Sequence, residues 1–386
     1  MDRHVPIRLG MVGGGAGAMI GEVHRIASRL DGHYELVAGA LSSSPEKATE
    51  SAAAIGLDPA RSYADFEAMA EAEASLEDGI EAVSICTPNH MHFPVAKAFL
   101  ARGIHVICDK PMTATLGEAE ALAEIAGKAD ALFVLTHNYS AYPEIRRARA
   151  MVAAGDLGSI RLVQVEYAQD WLTEAVESKQ AAWRSDPEKA GAGGAIGDIG
   201  THAFQLAATV TGMVPNRLAA DLSSFVPGRR LDDNAHILMR YESGAKGMLW
   251  ASQVAPGTEN GLKIRVYGEK AGLEWHHEAP ETLWFTPFGE PARKLRRGGP
   301  GASPGGAGTD LERLSRVPPG HPEGYLEGFA NLYTEAARAI RARQAGEPTP
   351  EGLLLPGIED GLMGLRFIDA CIRSATADAA FVEIAP

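Results

Sequence analysis

One segment constrains this chain more than any other: Gly13-Gly14-Gly15-Ala16-Gly17-Ala18. It follows an apolar run, Ile7–Val12, and opens a helical pattern that continues through Arg29. In that setting the spacing fits G-x-G-x-x-[G/A], a turn whose glycines let the backbone approach a pyrophosphate held at a helix N-terminus. Gly13, Gly15, Ala16 and Ala18 are therefore candidate contacts to a dinucleotide. The plain alternative is a flexible glycine turn that binds nothing. Further strand candidates are Glu35–Leu41, Ala82–Cys86, His105–Cys108 and Leu132–Thr136; helical patterns cover Pro45–Ile55, residues 92–102 and Leu116–Lys128. Strand and helix alternating at this spacing imply a doubly wound parallel sheet with right-handed crossovers.

The second strand leads into Leu41-Ser42-Ser43-Ser44-Pro45-Glu46-Lys47. An acid at the strand end would hold the ribose 2′-OH of NAD, and none stands there. Ser42, Ser43 and Lys47 suit a 2′-phosphate, so the expected cofactor is NAD or NADP with a lean toward NADP. Serines capping the following helix explain the same residues equally well.

After Tyr142 the pattern changes. A helix at Glu144–Ala154 leads to strand-like runs at Ile160–Tyr167, Ala235–Tyr241, Gly247–Gln253, Lys263–Tyr267 and Gly272–His276, joined by hairpin-like turns. Such runs indicate an antiparallel or mixed sheet. Two helical patterns close the chain, and residues 298–308 read as a low-complexity loop. With 386 residues, two domains are expected, 1–140 and 141–386.

The net charge of −14 argues against nucleic acid as a partner, and the basic run Arg293–Arg297 reads as a solvated loop. Cys86, Cys108 and Cys371 show no ligand or disulfide spacing, and no apolar segment is long enough to span a membrane. A soluble cytoplasmic protein with no membrane partner is expected. His276-His277-Glu278 invites a metal, but adjacent strand residues point to opposite faces, so no metal site is expected.

Three more segments follow in order: Thr87-Pro88-Asn89-His90 with His92, Asp109-Lys110-Pro111, and Gly193-Gly194-Ala195-Ile196-Gly197-Asp198-Ile199-Gly200-Thr201-His202. Together with the glycine turn, the chain resembles the glucose–fructose oxidoreductase, inositol dehydrogenase and rhizopine-catabolism (Gfo/Idh/MocA) family over nearly its whole length, including Glu359-Asp360-Gly361-Leu362 and Ser374 near its end. The resemblance implies an α/β architecture: a Rossmann domain, then an α/β domain on a large open sheet often used for oligomerisation, hence a homodimer or homotetramer. It implies catalytic roles for Lys110, Asp198 and His202, and cofactor contacts from Thr87, Pro88, Asn89, His92, Asp109 and Lys110. Two departures stand out. Asp109 replaces the usual glutamate, and the glycine turn is longer, displacing Gly21-Glu22-Val23-His24 from the first glycines.

Oxidising a secondary alcohol sends a hydride to nicotinamide and a proton to a base, for which histidine is suited. Asp198 and His202 stand four apart, so a regular helix would put them on one face. Lys110 would stabilise a developing alkoxide. His137, Asn138 and Tyr139 follow the last Rossmann strand; with Gln169, Trp171, Trp183 and Arg184 they are candidate contacts to a polyhydroxylated small molecule. Gln164 and Glu166 alternate on the same strand, so some of this group must face a cleft. Asp232-Asp233-Asn234 reads as a turn, a polar clamp or a subunit contact, and Glu323 or Tyr325 as a substrate contact or a helix cap. The expected activity is an NAD(P)-dependent dehydrogenase or reductase acting on CH–OH. The alternatives are a glycoside-cleaving enzyme of the same fold and a nicotinamide-sensing regulator.

Overall fold

The structure, a computed structural model, describes residues 5–175, 186–299 and 311–384. It divides into two units: Met1–Asn138 with Tyr325–Leu362, and Tyr139–Gly324 with Met363–Pro386.

The first unit holds five parallel strands in the order β2-β1-β3-β4-β5. These are β1 (Ile7–Gly13), β2 (Tyr34–Ala40), β3 (Ala82–Cys86), β4 (His105–Cys108) and β5 (Phe133–Leu135). Helices α1 (Met19–Leu30), α2 (Pro45–Ala54), α3 (Phe66–Ser75), α4 (His92–Leu100) and α5 (Leu116–Lys128) connect them. The sequence carried no period that marked α3, an acidic Ala-rich segment capped by Asp65. After β2 the chain crosses to the far side of β1, and that reversal opens a crevice at the strand carboxyl ends. The glycine turn, Thr87, Asp109 and Thr136 all stand at such ends.

The expected boundary near residue 140 needs one correction, because a late helix returns to the first unit. That helix, Tyr325–Gln344, buries Phe329, Ala330, Tyr333, Ala336, Ala337 and Ile340 against Ile7, Leu9, Val23, Ala27 and Ala82. A buried aromatic or aliphatic side chain contributes roughly 1.5–3 kcal/mol, so the returning helix is a large share of this core. It also supplies a buried polar contact across 309 residues of sequence: the Tyr333 hydroxyl lies 2.7 Å from His24 Nδ1 and 3.0 Å from the Ser84 hydroxyl.

The second unit is built on a nine-stranded mixed sheet, ordered β13-β12-β11-β10-β6-β9-β8-β7-β14. Its strands are β6 (Ile160–Ala168), β7 (Arg217–Ser223), β8 (Asn234–Arg240), β9 (Lys246–Ser252), β10 (Gly261–Gly268), β11 (Ala271–His276), β12 (Thr282–Pro287), β13 (Arg293–Arg296) and β14 (Val382–Glu383). The β6–β9 pair is parallel and the others antiparallel. One face carries Val163, Val165, Tyr167, Leu249, Ala251, Leu262, Ile264 and Trp275, all buried. Helix α6 (Pro143–Ala153) and the segment Ile196–Thr211 pack on this sheet. The opposite face carries Gln164 and Glu166, the latter paired with Lys263 and Arg265. Period-two alternation thus separates these two residues from Gln169.

The basic run is not a loop. Arg293–Arg296 forms the edge strand β13, where charge discourages pairing with another chain. Arg297 is buried against Glu281 at 2.7 Å and Glu323 at 3.2 Å. Glu323 also accepts the Arg316 and Val317 backbone N–H groups, so it serves the fold of this unit. Ser374 ties the last helix to β7 by accepting the Ala220 N–H at 2.8 Å. Of residues 298–308, all but Gly298 and Gly299 lie outside the described residues.

Candidate functional site

The glycine turn has the geometry that a dinucleotide pyrophosphate requires. Gly13, Gly14 and Gly17 adopt φ of +74°, +68° and +78°, a region that L side chains avoid. A Cβ on Gly21 would collide with the Gly14 backbone, so Gly21 is what lets α1 lie close to the turn. The Arg25 guanidinium donates to the Gly14 carbonyl at 2.5 Å, strapping the turn from below. At the N-cap of α1, Ala18 supplies no side-chain hydrogen bond, which leaves the first-turn N–H groups without a side-chain cap, the arrangement that suits an anion. The Gly15 N–H is committed to the Leu41 carbonyl and the Ala16 N–H to the Ser51 hydroxyl, so both residues shape the turn. At the end of β2, Ser44 caps α2, Ser42 accepts the Ser44 N–H at 3.2 Å, and Ser43 and Lys47 are exposed.

Thr87, Pro88 and Asn89 leave β3 at the same edge of the sheet. His92 does not reach the surface. It is 1% exposed, with Nδ1 2.7 Å from the Pro111 carbonyl and Nε2 2.9 Å from the Thr87 carbonyl. It ties the Thr87 and Pro111 loops together. Asp109 accepts the Lys110 N–H at 2.9 Å and the Thr136 hydroxyl at 3.0 Å, so its shorter carboxylate is built into the turn that presents Lys110. The Lys110-Pro111 peptide is cis. His137 is 2% exposed; burial, helped by the Lys110 charge, lowers its pKa to about 3 and keeps it neutral. Asn138, also buried, ends this half of the first unit.

In the second unit the GGAIGD segment is clamped by the turn that leads into β8. The half-buried Asp232 side chain accepts the Gly194 N–H at 2.6 Å and the Ile196 N–H at 2.8 Å, and a Cβ on Gly194 would overlap the Asp232 backbone. Burial, despite these bonds, raises the Asp232 pKa to about 6. The clamp reading of Asp232-Asp233-Asn234 is thus the one observed. Asp233 likewise holds the Phe225 and Val226 N–H groups and Arg229.

Ile196–Gly200 forms a π turn, with the Thr201 N–H bonded to the Ile196 carbonyl, before α7 (Thr201–Thr211) continues as regular helix. Asp198 and His202 therefore stand across a wide-to-regular junction, not on the uniform helix that their spacing suggested. Wide turns of this kind concentrate at functional sites. Asp198 accepts from Gln253 Nε2 at 2.9 Å, and the His202 ring packs edge-on to Tyr139 at 4.9 Å. Lys110 belongs to the first unit, and Asp198 and His202 to the second.

A polar network continues from Tyr139. Its hydroxyl lies 2.7 Å from that of Tyr167, which donates to Asn260 Oδ1 at 2.7 Å. Gln169 Nε2 donates to the same oxygen at 2.8 Å, and the Trp171 indole donates to Gln169 Oε1 at 3.0 Å. Asn260 Nδ2 lies 3.2 Å from His277 Nδ1, and His277 Nε2 lies 3.1 Å from the Tyr142 hydroxyl. His276 instead pairs with Glu274, so the adjacent histidines diverge as the strand geometry required. Gln253, Asn260, His277 and Tyr142 had no expected place in the site, and no motif surrounds them. Trp183 and Arg184 lie outside the described residues.

Comparison with known proteins matches the description "Oxidoreductase family, NAD-binding Rossmann fold" to residues 7–137 and the GFO/IDH/MocA C-terminal domain to residues 145–274. The uncharacterised oxidoreductase YfiI of Bacillus subtilis is 37% identical over 98% of this chain and 97% of its own. The chain belongs to the GFO/IDH/MocA oxidoreductase family. Among solved structures, an oxidoreductase from Sinorhizobium meliloti is 57% identical with a TM-score of 0.90, covering 98% of this chain and 100% of its own. An inositol dehydrogenase homologue from Azotobacter vinelandii in complex with NAD+ is 40% identical with a TM-score of 0.93, covering 98% and 97%. In complex with NADH and myo-inositol it is 39% identical, with a TM-score of 0.90 and the same coverage. Among the described residues, no helix is long and apolar enough to cross a membrane, and no cluster of His, Cys, Asp and Glu could hold a metal.

Proposed function

We propose that this family member transfers a hydride between NAD(P) and a secondary hydroxyl of a sugar, glycoside or cyclitol. The observation that carries the reading is the held pair in the second unit: Asp198 fixed by Gln253, one turn before a nearly buried His202. The complex of the Azotobacter homologue with NADH and myo-inositol supports the substrate class. Bound nicotinamide supplies the hydride acceptor or donor. His202 takes the hydroxyl proton as the C–H electron pair leaves, Asp198 orients the imidazole and offsets its new charge, and Lys110 stabilises the developing alkoxide. His137, Asn138, Tyr139, Gln169 and Trp171 hold the polyol, and Thr87, Pro88 and Asn89 support the cofactor with the glycine turn.

We also assign the open sheet face as the surface through which a homodimer or homotetramer forms, on the exposure of Leu162, Leu238, Met248, Tyr267 and Trp284 there. Light scattering of the purified protein checks this, and a monomer would refute it.

The activity is tested by following nicotinamide absorbance with NAD or NADP over a panel of pyranosides, inositols and sugar acids. Turnover of one member supports the dehydrogenase. Bound cofactor without net turnover, together with release of an aglycone from glycosides, would replace it with the bond-cleaving reading.

A further inference from the structure

Hydrogen bonds in the second unit have a direction that can be read from one end. The Trp171 indole is donor-only, so the Gln169 atom 3.0 Å from it is the carbonyl oxygen. Gln169 must then offer its amide nitrogen to Asn260, whose oxygen also takes the Tyr167 proton. That leaves the Asn260 amide nitrogen facing His277 Nδ1. A donor there requires Nδ1 to be bare, so the His277 proton sits on Nε2, 3.1 Å from the Tyr142 hydroxyl. Each assignment forces the next, from an indole to an imidazole 106 residues further along the chain (171 to 277).

We propose that Asn260 and His277 are positioning residues for the substrate: the one-way run Trp171–Gln169–Asn260–His277 fixes how Gln169 and Trp171 meet a polyol. This rests on the proposed function, in which Gln169 and Trp171 are substrate contacts. Gln169 keeps a second N–H and a second lone pair beyond those used in the run, a donor and acceptor set at fixed orientation. The Trp171 N–H is committed to Gln169, which fixes the plane of the indole and the carbon face it can offer to a ring. Through Tyr167 and Tyr139 the same run reaches the ring that packs on His202, so orientation of the polyol and of the base share one support.

The surroundings of His277 favour this tautomer without charge. The rings of Tyr139, Tyr142 and Trp275 pack around it, and burial lowers its pKa, although a hydrogen bond to the Asn260 backbone and, less strongly, the Glu278 charge pull the other way. A proton on Nδ1 would oppose the Asn260 amide and reverse the run.

The test reads tautomers and kinetics on the full-length protein. In ¹⁵N spectra of histidine-labelled protein, assigned with His277→Gln, the His277 signal at neutral pH should be that of a neutral ring protonated on Nε2. A ring protonated on Nδ1 would overturn the proposal with no variant needed. Asn260→Asp keeps the shape but offers only acceptors, so His277 should become an imidazolium at neutral pH. With the polyol found in the panel assay, KM should rise about tenfold, as for the loss of one or two oriented hydrogen bonds, with a smaller change in kcat. NADH binding, measured by fluorescence, should be unchanged. If the parent enzyme turns over and Asn260→Asp leaves KM unaltered, the positioning role is wrong. If the parent turns over no polyol, the functional reading fails first and takes this role with it. Should Asn260→Asp fail to fold, Trp171→Phe removes the donor that starts the run, and an unchanged KM in that variant refutes the proposal equally.

Discussion

The phosphate-binding turn and the GGAIGD segment both depend on glycine, but they use it for different ends. In the turn, Gly13, Gly14 and Gly17 take positive φ, and the result is a helix N-terminus open toward an anion. At Gly193-Gly194 the backbone is not left-handed; the missing side chains let Gly194 press against Asp232 and Gly193 against Ile196, and the polar groups close on the protein itself. One region leaves a helix N-terminus without a side-chain cap; the other spends its N–H groups on the carboxylate of Asp232, in the segment that carries Asp198. The first is a binding surface made of backbone. The second is a mount for side chains, whose chemistry lies in Asp198 and His202.

The largest effect that sharpens this contrast comes from His202→Ala. Loss of a general base costs roughly a hundred- to ten-thousand-fold in kcat, while NAD(P) affinity, owed to the backbone of the other unit, should stay within twofold. Turnover measured beside a cofactor titration separates the two. Equal loss of both would mean that the second unit also builds the cofactor site.

Next in size is a pH effect confined to the first unit. Burial lowers the His24 pKa from 6.5 to about 4, so the folded state holds the neutral ring. A depressed pKa means that the associated stability is fully present above pH 6.5 and drains as pH falls through about 4. The difference of about 2.5 units corresponds to about 3 kcal/mol. Between pH 7 and pH 4 wild type should lose about that much more stability in denaturant melts than His24→Gln does. Parallel curves would show that His24 titrates as an exposed residue does.

Gly21→Val comes third. Its side chain would drive α1 off the Gly14 backbone, costing about 1–3 kcal/mol and weakening cofactor binding, whereas the Tyr139–Tyr167–Asn260 network in the other unit is untouched. Calorimetry with and without NAD checks it; unimpaired binding would show that the turn tolerates a wider approach.

The same contrast explains what was legible in the sequence. A backbone-made site needs contiguous residues, and so Gly13–Ala18, Asp109-Lys110 and Gly193–His202 announce themselves as short motifs. The strands of the first sheet were legible too, since buried parallel strands read as unbroken apolar runs. A side-chain-made site has no such need. Gln253, Asn260 and His277 meet Asp198, Gln169 and Tyr142 through the register of β6, β9, β10 and β11, which no local pattern encodes. β13 was missed because an edge strand that carries charge to stay unpaired has the composition of a solvated loop. The motif placed His92 but not its ring, whose two nitrogens face the Pro111 and Thr87 carbonyls, because a motif shows where a histidine stands, not which way its ring points.

The smallest expected effect concerns the cofactor's 2′ group, on which the backbone turn is silent. Side chains at the end of β2 must decide it. Ser44 is occupied as a cap and bonded to Glu46, and Ser42 accepts the Ser44 N–H, so of the hydroxyls and cations here Ser43 and Lys47 are the exposed ones. An exposed lysine near a phosphate gains modestly from charge and is screened by salt, so its removal changes affinity by a small factor. Lys47→Glu should lower kcat/KM for NADP about three- to tenfold, with little change for NAD, and the gap should narrow as ionic strength rises. An unchanged NADP-to-NAD ratio would assign Lys47 to the solvated surface of α2. Selectivity would then rest with Ser43, a hydroxyl that suits either cofactor, and the chain would use both.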